Sequence, residues 1–174
     1  MRAFGERPGA FPHPGGRRSK SPFARGAYLA SMHEIAWRKV CCPVDFSRES
    51  RAALEIAVDL CRRLGAELTI LHVQEDHTGR NGELDAWTED AARLGIRTLA
   101  ATTRGDPKTA IARWTHRHGF DAIVMGTHGW TGRARQLVGS VAENTVRHAA
   151  CPVMVIHEGW ARAHLHEDAG ATAH

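Results

Sequence analysis

The sequence predicts an α/β fold: a single doubly wound, five-stranded parallel sheet with helices on both faces, in the order 3-2-1-4-5. Three observations predict it. Short apolar runs alternate strictly with helix-period stretches from Lys39 to Ile156, the pattern that yields a parallel sheet. The run Ala122-Ile123-Val124-Met125 has no polar alternation, which suits a strand covered on both faces. The length, 174 residues with 43% hydrophobic side chains, closes one core of ordinary size and leaves no room for a second catalytic domain.

Taken in order, the elements justify themselves. Lys39–Val44 is a short apolar run of strand type, ended by Asp45. Ser47 caps a helix whose Ala52, Ala53, Ile56, Ala57, Leu60, Cys61 and Leu64 recur at helical spacing until Gly65 stops it. Leu68–Val73 is the second strand. A polar stretch with Gly79, Asn81 and Gly82 leads to a shorter helix over Glu83–Leu94, and Ile96–Thr102 is a weaker third strand. Asp106 then caps a helix with Pro107 in its first position, Ala110, Ile111 and Trp114 inward and Gly119 at its end. Phe120–Met125 is the fourth strand, Ser140 opens a fourth helix to Ala149, and Pro152–Ile156 is the fifth strand. Residues from Gly159 onward read as a polar tail with no assigned element.

Three regions follow: a basic, Gly/Pro-rich disordered extension over 1–36, the α/β domain over 37–158 and the polar tail over 159–174. Residues 1–31 hold four of the seven prolines and five glycines with no apolar period, too little to offset the entropy of ordering. They also hold six of the 23 basic residues and one of the 19 acidic ones, which leaves the rest of the chain within one charge of neutrality. The basic character belongs to the extension, and no specific nucleic-acid groove is implied. An upstream translation start (with Met32 the true start), a basic arm for anionic partners and a targeting segment all remain open for this stretch. No run reaches the roughly 18 apolar residues of a membrane span, so the expected location is cytoplasmic.

Cys41, Cys42, Cys61 and Cys151 show no CxxC spacing and read as reduced thiols, the first two on opposite faces of a strand. The twelve histidines have no paired ligand spacing, and no metal-ligating residues are assigned.

In a doubly wound sheet the ligand crevice opens beyond the carboxyl ends of the strands where the winding reverses. Here those strands end at Val44 and Met125, which sets Asp45 beside Gly126-Thr127-His128-Gly129. The loop then runs nine residues to Gly139-Ser140-Val141 and a helix N-terminus, where glycine backbone and unpaired amides favour phosphate. Ser140 and Glu143 also fit a capping box, the structural alternative. No GxGxxG follows the first strand, and neither GxxxxGK[ST] nor GxSxG occurs anywhere. A phosphate site without a catalytic lysine points to binding more than turnover.

On these residues Val40–Ile156 resembles the universal stress protein family. The resemblance is carried by Pro43-Val44-Asp45-Phe46-Ser47, Leu71-His72-Val73, Gly105-Asp106-Pro107, the Gly-x2-Gly-x9-Gly-Ser pattern and Cys151-Pro152-Val153. It is similar to the ATP-binding subgroup. The resemblance implies ATP, with Mg or Mn bridging phosphates and Asp45 on the ribose. Main chain near Val44 and Val73 would meet adenine; Gly126, His128 and Gly129 would line ribose and phosphate; Gly139, Ser140 and Val141 would meet phosphate oxygens; and Met125 belongs to the same nucleotide site. It also implies a homodimer through the fifth strand. The alternative role for Asp45 is to cap the following helix alongside Ser47, and His72 reads as a satisfied interior histidine. Trp130 departs from the polar residue frequent in the family, and Arg133 and Arg135 are either phosphate partners or a solvated loop face. The expected function is an ATP-binding stress or signalling module acting as a nucleotide-dependent switch, with slow hydrolysis at most. The alternatives are an ATP-hydrolysing or nucleotidyl-transferring enzyme using the same crevice, and a nucleotide-free dimeric interaction protein.

Overall fold

In the computed structural model, which describes residues 36–74, 81–127 and 138–165, five parallel strands pair in the order β3-β2-β1-β4-β5. The elements are β1 (Lys39–Val44), α1 (Arg48–Leu64), β2 (Glu67–Gln74), α2 (Asn81–Ala92), β3 (Thr98–Arg104), α3 (Pro107–His118), β4 (Ala122–Gly126), α4 (Ser140–His148), β5 (Val153–Ile156) and α5 (Glu158–Leu165). The predicted fold class and strand order hold.

The two faces of the sheet separate cleanly along β1. Val40, Cys42 and Val44 join a core with Ala53, Leu54, Ala57 and Cys61 of α1, Leu84 and Ala91 of α2 and Ala161 of α5. Cys41 points the other way, into a core with Leu71, Val73, Ile123 and Met125, covered by Ala110 and Ile111 of α3 and Ala142 of α4. Period-2 alternation on a strand covered on both sides thus reads as a continuous apolar run. The cysteines are free thiols; Cys41, Cys42 and Cys61 are buried and Cys151 is half-buried.

Helix ends follow the sequence signals at α1 and α3. Ser47 accepts from the Ser50 amide and Gly65 closes α1 in the left-handed region at φ 66°. Asp106 accepts from the Lys108 amide, Pro107 takes the first turn and Gly119 closes α3. At α4 the capping box, the alternative reading of Ser140 and Glu143, does not form. Gly139 is the N-cap and has no side chain to offer; Ser140 is already helical, and Glu143 reaches forward to Arg147 at 2.9 Å.

Boundaries shift by up to two residues where the local signal is weak. Helix α2 starts at Asn81 and ends at Ala92, not over Glu83–Leu94, and Leu94 is left exposed. Strand β3 runs Thr98–Arg104 because its register is fixed by β2, from Leu68↔Thr98 to Gln74↔Arg104. Strand β4 starts at Ala122 and gains Gly126, which pairs with Ile156. The segment left without an element after Gly159 holds most of α5, which docks through the fully buried Ala161. Among the described residues no helix is long and apolar enough to cross a membrane.

Candidate functional site

The carboxyl edge of the sheet is built by three strand ends and two helix starts. At the end of β1 the chain turns sharply. The Asp45 carboxylate accepts from the Ser47 amide at 3.1 Å and from the Ser47 hydroxyl at 2.6 Å. The same hydroxyl oxygen accepts from the Ser50 amide at 3.2 Å, so Asp45 braces the cap of α1 from outside. The helix-capping alternative for Asp45 is therefore met in part, and its carboxylate is only half-buried. Between these residues Phe46 adopts φ 66°, a left-handed conformation that costs a residue with a Cβ roughly 1–2 kcal/mol.

At the end of β2, His72 lies against the same turn. Its Nδ1 is 2.9 Å from the Val44 carbonyl oxygen. A carbonyl can only accept, so the hydrogen sits on Nδ1 and a neutral ring leaves Nε2 as an acceptor. His72 is half-buried and satisfied. The expectation that main chain near Val44 meets adenine is narrowed, because one lone pair of that carbonyl is taken. Val73, next along, is buried in the opposite core.

At the end of β4, Met125 is buried and Gly126 makes a close approach. A Cβ on Gly126 would lie 2.9 Å from both the carbonyl carbon and the oxygen of Glu49 in the first turn of α1. This glycine is required by the packing of β4 on α1. Thr127 is buried, and its amide donates to the Ile156 carbonyl at 3.0 Å. Its carbonyl in turn accepts from the Gly139 amide at 2.7 Å, which stitches the start of α4 to the end of β4. Gly139 thus spends its N–H inside the fold, a correction to its expected role as an amide donor to phosphate. The amides that follow, at Ser140 and Val141, open a helix with no side-chain cap.

Val44, Asp45, Val73, Met125, Gly126, Gly139, Ser140 and Val141 therefore gather along one edge of the sheet. Register continues the argument: β1 pairs β4 in parallel through Val40↔Ala122 and Cys41↔Ile123, so Val44 and Gly126 come level where both strands end. His128 and Gly129 lie outside the described residues, as do Trp130, Arg133 and Arg135. Sequence reasoning missed Phe46, Thr127 and Trp87 of α2. Trp87 packs edge-on against Phe46 at 5.3 Å, and no local pattern announces that pair. Among the described residues no group of three or more His, Cys, Asp or Glu side chains could hold a metal ion.

The model of the universal stress protein family matches residues 36–157. The chain belongs to the universal stress protein family. A putative universal stress protein of Staphylococcus aureus strain USA300 is 30% identical over 141 residues, covering 70% of this chain and 85% of its own. Among solved structures, the universal stress protein UspA of Lactobacillus plantarum is 30% identical with a TM-score of 0.58, over 69% of this chain and 97% of its own. A universal stress protein family member of Arabidopsis thaliana, solved with AMP bound, shares the fold at 24% identity and a TM-score of 0.54, over 69% of this chain and 91% of its own. The family match stops at residue 157, so α5 lies just beyond this universal stress protein's family domain.

Proposed function

We propose that this universal stress protein binds ATP at the carboxyl edge of its sheet and acts as a nucleotide-dependent switch in a stress or signalling response. The observation that carries the reading is the N-terminus of α4, whose glycine N-cap makes no side-chain bond and is tied by the Gly139–Thr127 hydrogen bond to the end of β4, the strand that pairs with β1 and so neighbours the turn at Asp45. Free amides and the partial positive charge of a helix start favour phosphate oxygens, and a half-buried carboxylate on the facing strand suits ribose hydroxyls. The Arabidopsis family member with AMP supports the adenine-nucleotide class.

In this reading Ser140 and Val141 hold phosphate, Asp45 holds ribose, and main chain near Val44 and Val73 faces adenine. Met125, Gly126, His128 and Gly129 complete the wall, and Gly139 contributes by position. The described residues offer no cage for a metal, so Mg or Mn would travel on the phosphates, and no step of the binding argument passes through it. The missing P-loop lysine favours a switch over sustained turnover. A second copy would pair along β5, an edge strand whose Met154 is exposed.

Native mass spectrometry of the purified full chain tests all of this together. The expected spectrum is a dimer whose subunits each carry the mass of one ATP. Protein free of nucleotide and unresponsive to added ATP overturns the binding reading, and a monomer overturns the β5 pairing. Replacing Gly129 and Gly139 together with valine is expected to abolish ATP binding; a folded double variant with unchanged affinity would defeat the phosphate assignment.

A further inference from the structure

Phe46 is the sole non-glycine residue with positive φ among the described residues, and it stands in the bend that carries Asp45. Such a conformation persists where the surroundings over-determine it. Glycine would adopt it without penalty, so the backbone alone gives no reason for phenylalanine here. The ring does. It is 8% exposed, with its centroid 4.7 Å from that of the His72 ring and 5.3 Å from that of Trp87, at 80° to the indole. Each neighbour is itself held: His72 by the Val44 carbonyl, and Trp87 by Arg51, whose guanidinium lies 5.1 Å over the indole and pairs with Asp90 of α2. The clamp thus reaches from β2 to α2 and closes on the one bend that separates β1 from α1.

We propose that Phe46 is a positioning residue for nucleotide binding: its ring, gripped between His72 and Trp87, holds the left-handed bend that sets the Asp45 carboxylate at the crevice. The two hydrogen bonds from Ser47 to Asp45 report that setting directly. Loosening the ring lets the bend relax towards ordinary φ, which swings Asp45 away and frees the Ser47 amide. The binding half of this inference rests on the nucleotide reading above; the Ser47 half does not.

The test uses the full chain with Trp87→Ala, Trp87→Phe and Phe46→Leu, the last keeping bulk without a ring. Amide hydrogen exchange is read at Ser47 relative to Cys42 in β1, without nucleotide, and ATP affinity is measured by calorimetry on the folded protein. Losing one edge-to-face aromatic pair corresponds to about a tenfold change. Trp87→Ala and Phe46→Leu are expected to speed Ser47 exchange and weaken ATP binding by about that factor. Trp87→Phe is expected to restore both, which a general loss of stability would not do. Unchanged relative exchange at Ser47 in a folded Trp87→Ala or Phe46→Leu variant overturns the clamp. Parent protein that binds no ATP overturns the nucleotide reading instead, and the Ser47 readout then decides the clamp by itself.

Discussion

Gly126 and Asp45 illustrate how one residue can answer to two demands. In the sequence Gly126 opens a glycine-rich loop and reads as a ligand-facing position. In the fold its missing side chain is what lets β4 sit against the backbone of Glu49, where a Cβ would meet two main-chain atoms at 2.9 Å. Backbone cannot yield as the tip of a flexible side chain can. Gly126→Ala is therefore expected to lower stability by about 1–3 kcal/mol, read as a drop in the urea midpoint with an unchanged slope. A midpoint equal to that of the parent would show that the first turn of α1 gives way freely. The conflict was not legible from sequence, because Glu49 is remote along the chain and only the tertiary approach exposes it. Asp45 was legible as a carboxylate at a switch-strand end. Its bonds to Ser47 were visible only as the competing capping role, and the φ of Phe46 between them left no trace in residue type.

Elements were legible in proportion to how much of their own signal they carry. Strand β1 falls on Lys39–Val44 as expected because both of its faces are buried and the apolar run is unbroken. Strand β3 slides because it is an edge strand, half-polar, and takes its limits from the register of β2. Helix α4 starts at Ser140 as expected, but its cap is Gly139, which leaves no side-chain signature, so Ser140 and Glu143 mimicked a box they do not form. Helix α5 escaped because it is short and its apolar residues are few; among its described side chains Ala161 is the buried one. Ala161 is fully buried against the α1 side of the core, while Trp160 is half exposed and stacks on His164 at 4.4 Å. Ala161→Asp places an unpaired carboxylate there and is expected to cost at least about 2 kcal/mol in urea unfolding. If stability stays at the parent level, α5 is not docked as described. Residue 161 is not among those assigned to the nucleotide, so ATP binding by the folded fraction should persist.

At the scale of the whole molecule the thiols tie stability to pH through the core itself. Burial raises Cys41 and Cys42 well above the ordinary value of 9.0, with neighbouring thiols adding to the effect. Burial alone lifts Cys61 to about 11. The sheet divides these groups, with Cys41 facing α3 and α4, and Cys42 meeting Cys61 of α1 in the core on the other face, so ionising any of them puts an uncompensated charge into one of the two cores. The unfolded chain ionises its thiols first. Their contribution is thus complete below pH 9.0; that of Cys61 is lost as pH rises towards its folded value of about 11, and those of Cys41 and Cys42 go on falling above it. Urea midpoints measured from pH 7 upward should hold level and then fall across that window, with Cys61 alone accounting for on the order of 1–2 kcal/mol. Cys61→Ala should start lower, because it trades a packed thiol for a small void, but descend less steeply. A descent just as steep as the parent's would mean that Cys61 is not the group being ionised. Alkylation of the native protein near pH 8 gives the kinetic counterpart: half-buried Cys151 should react first, and Cys41, Cys42 and Cys61 only as fast as the sheet opens.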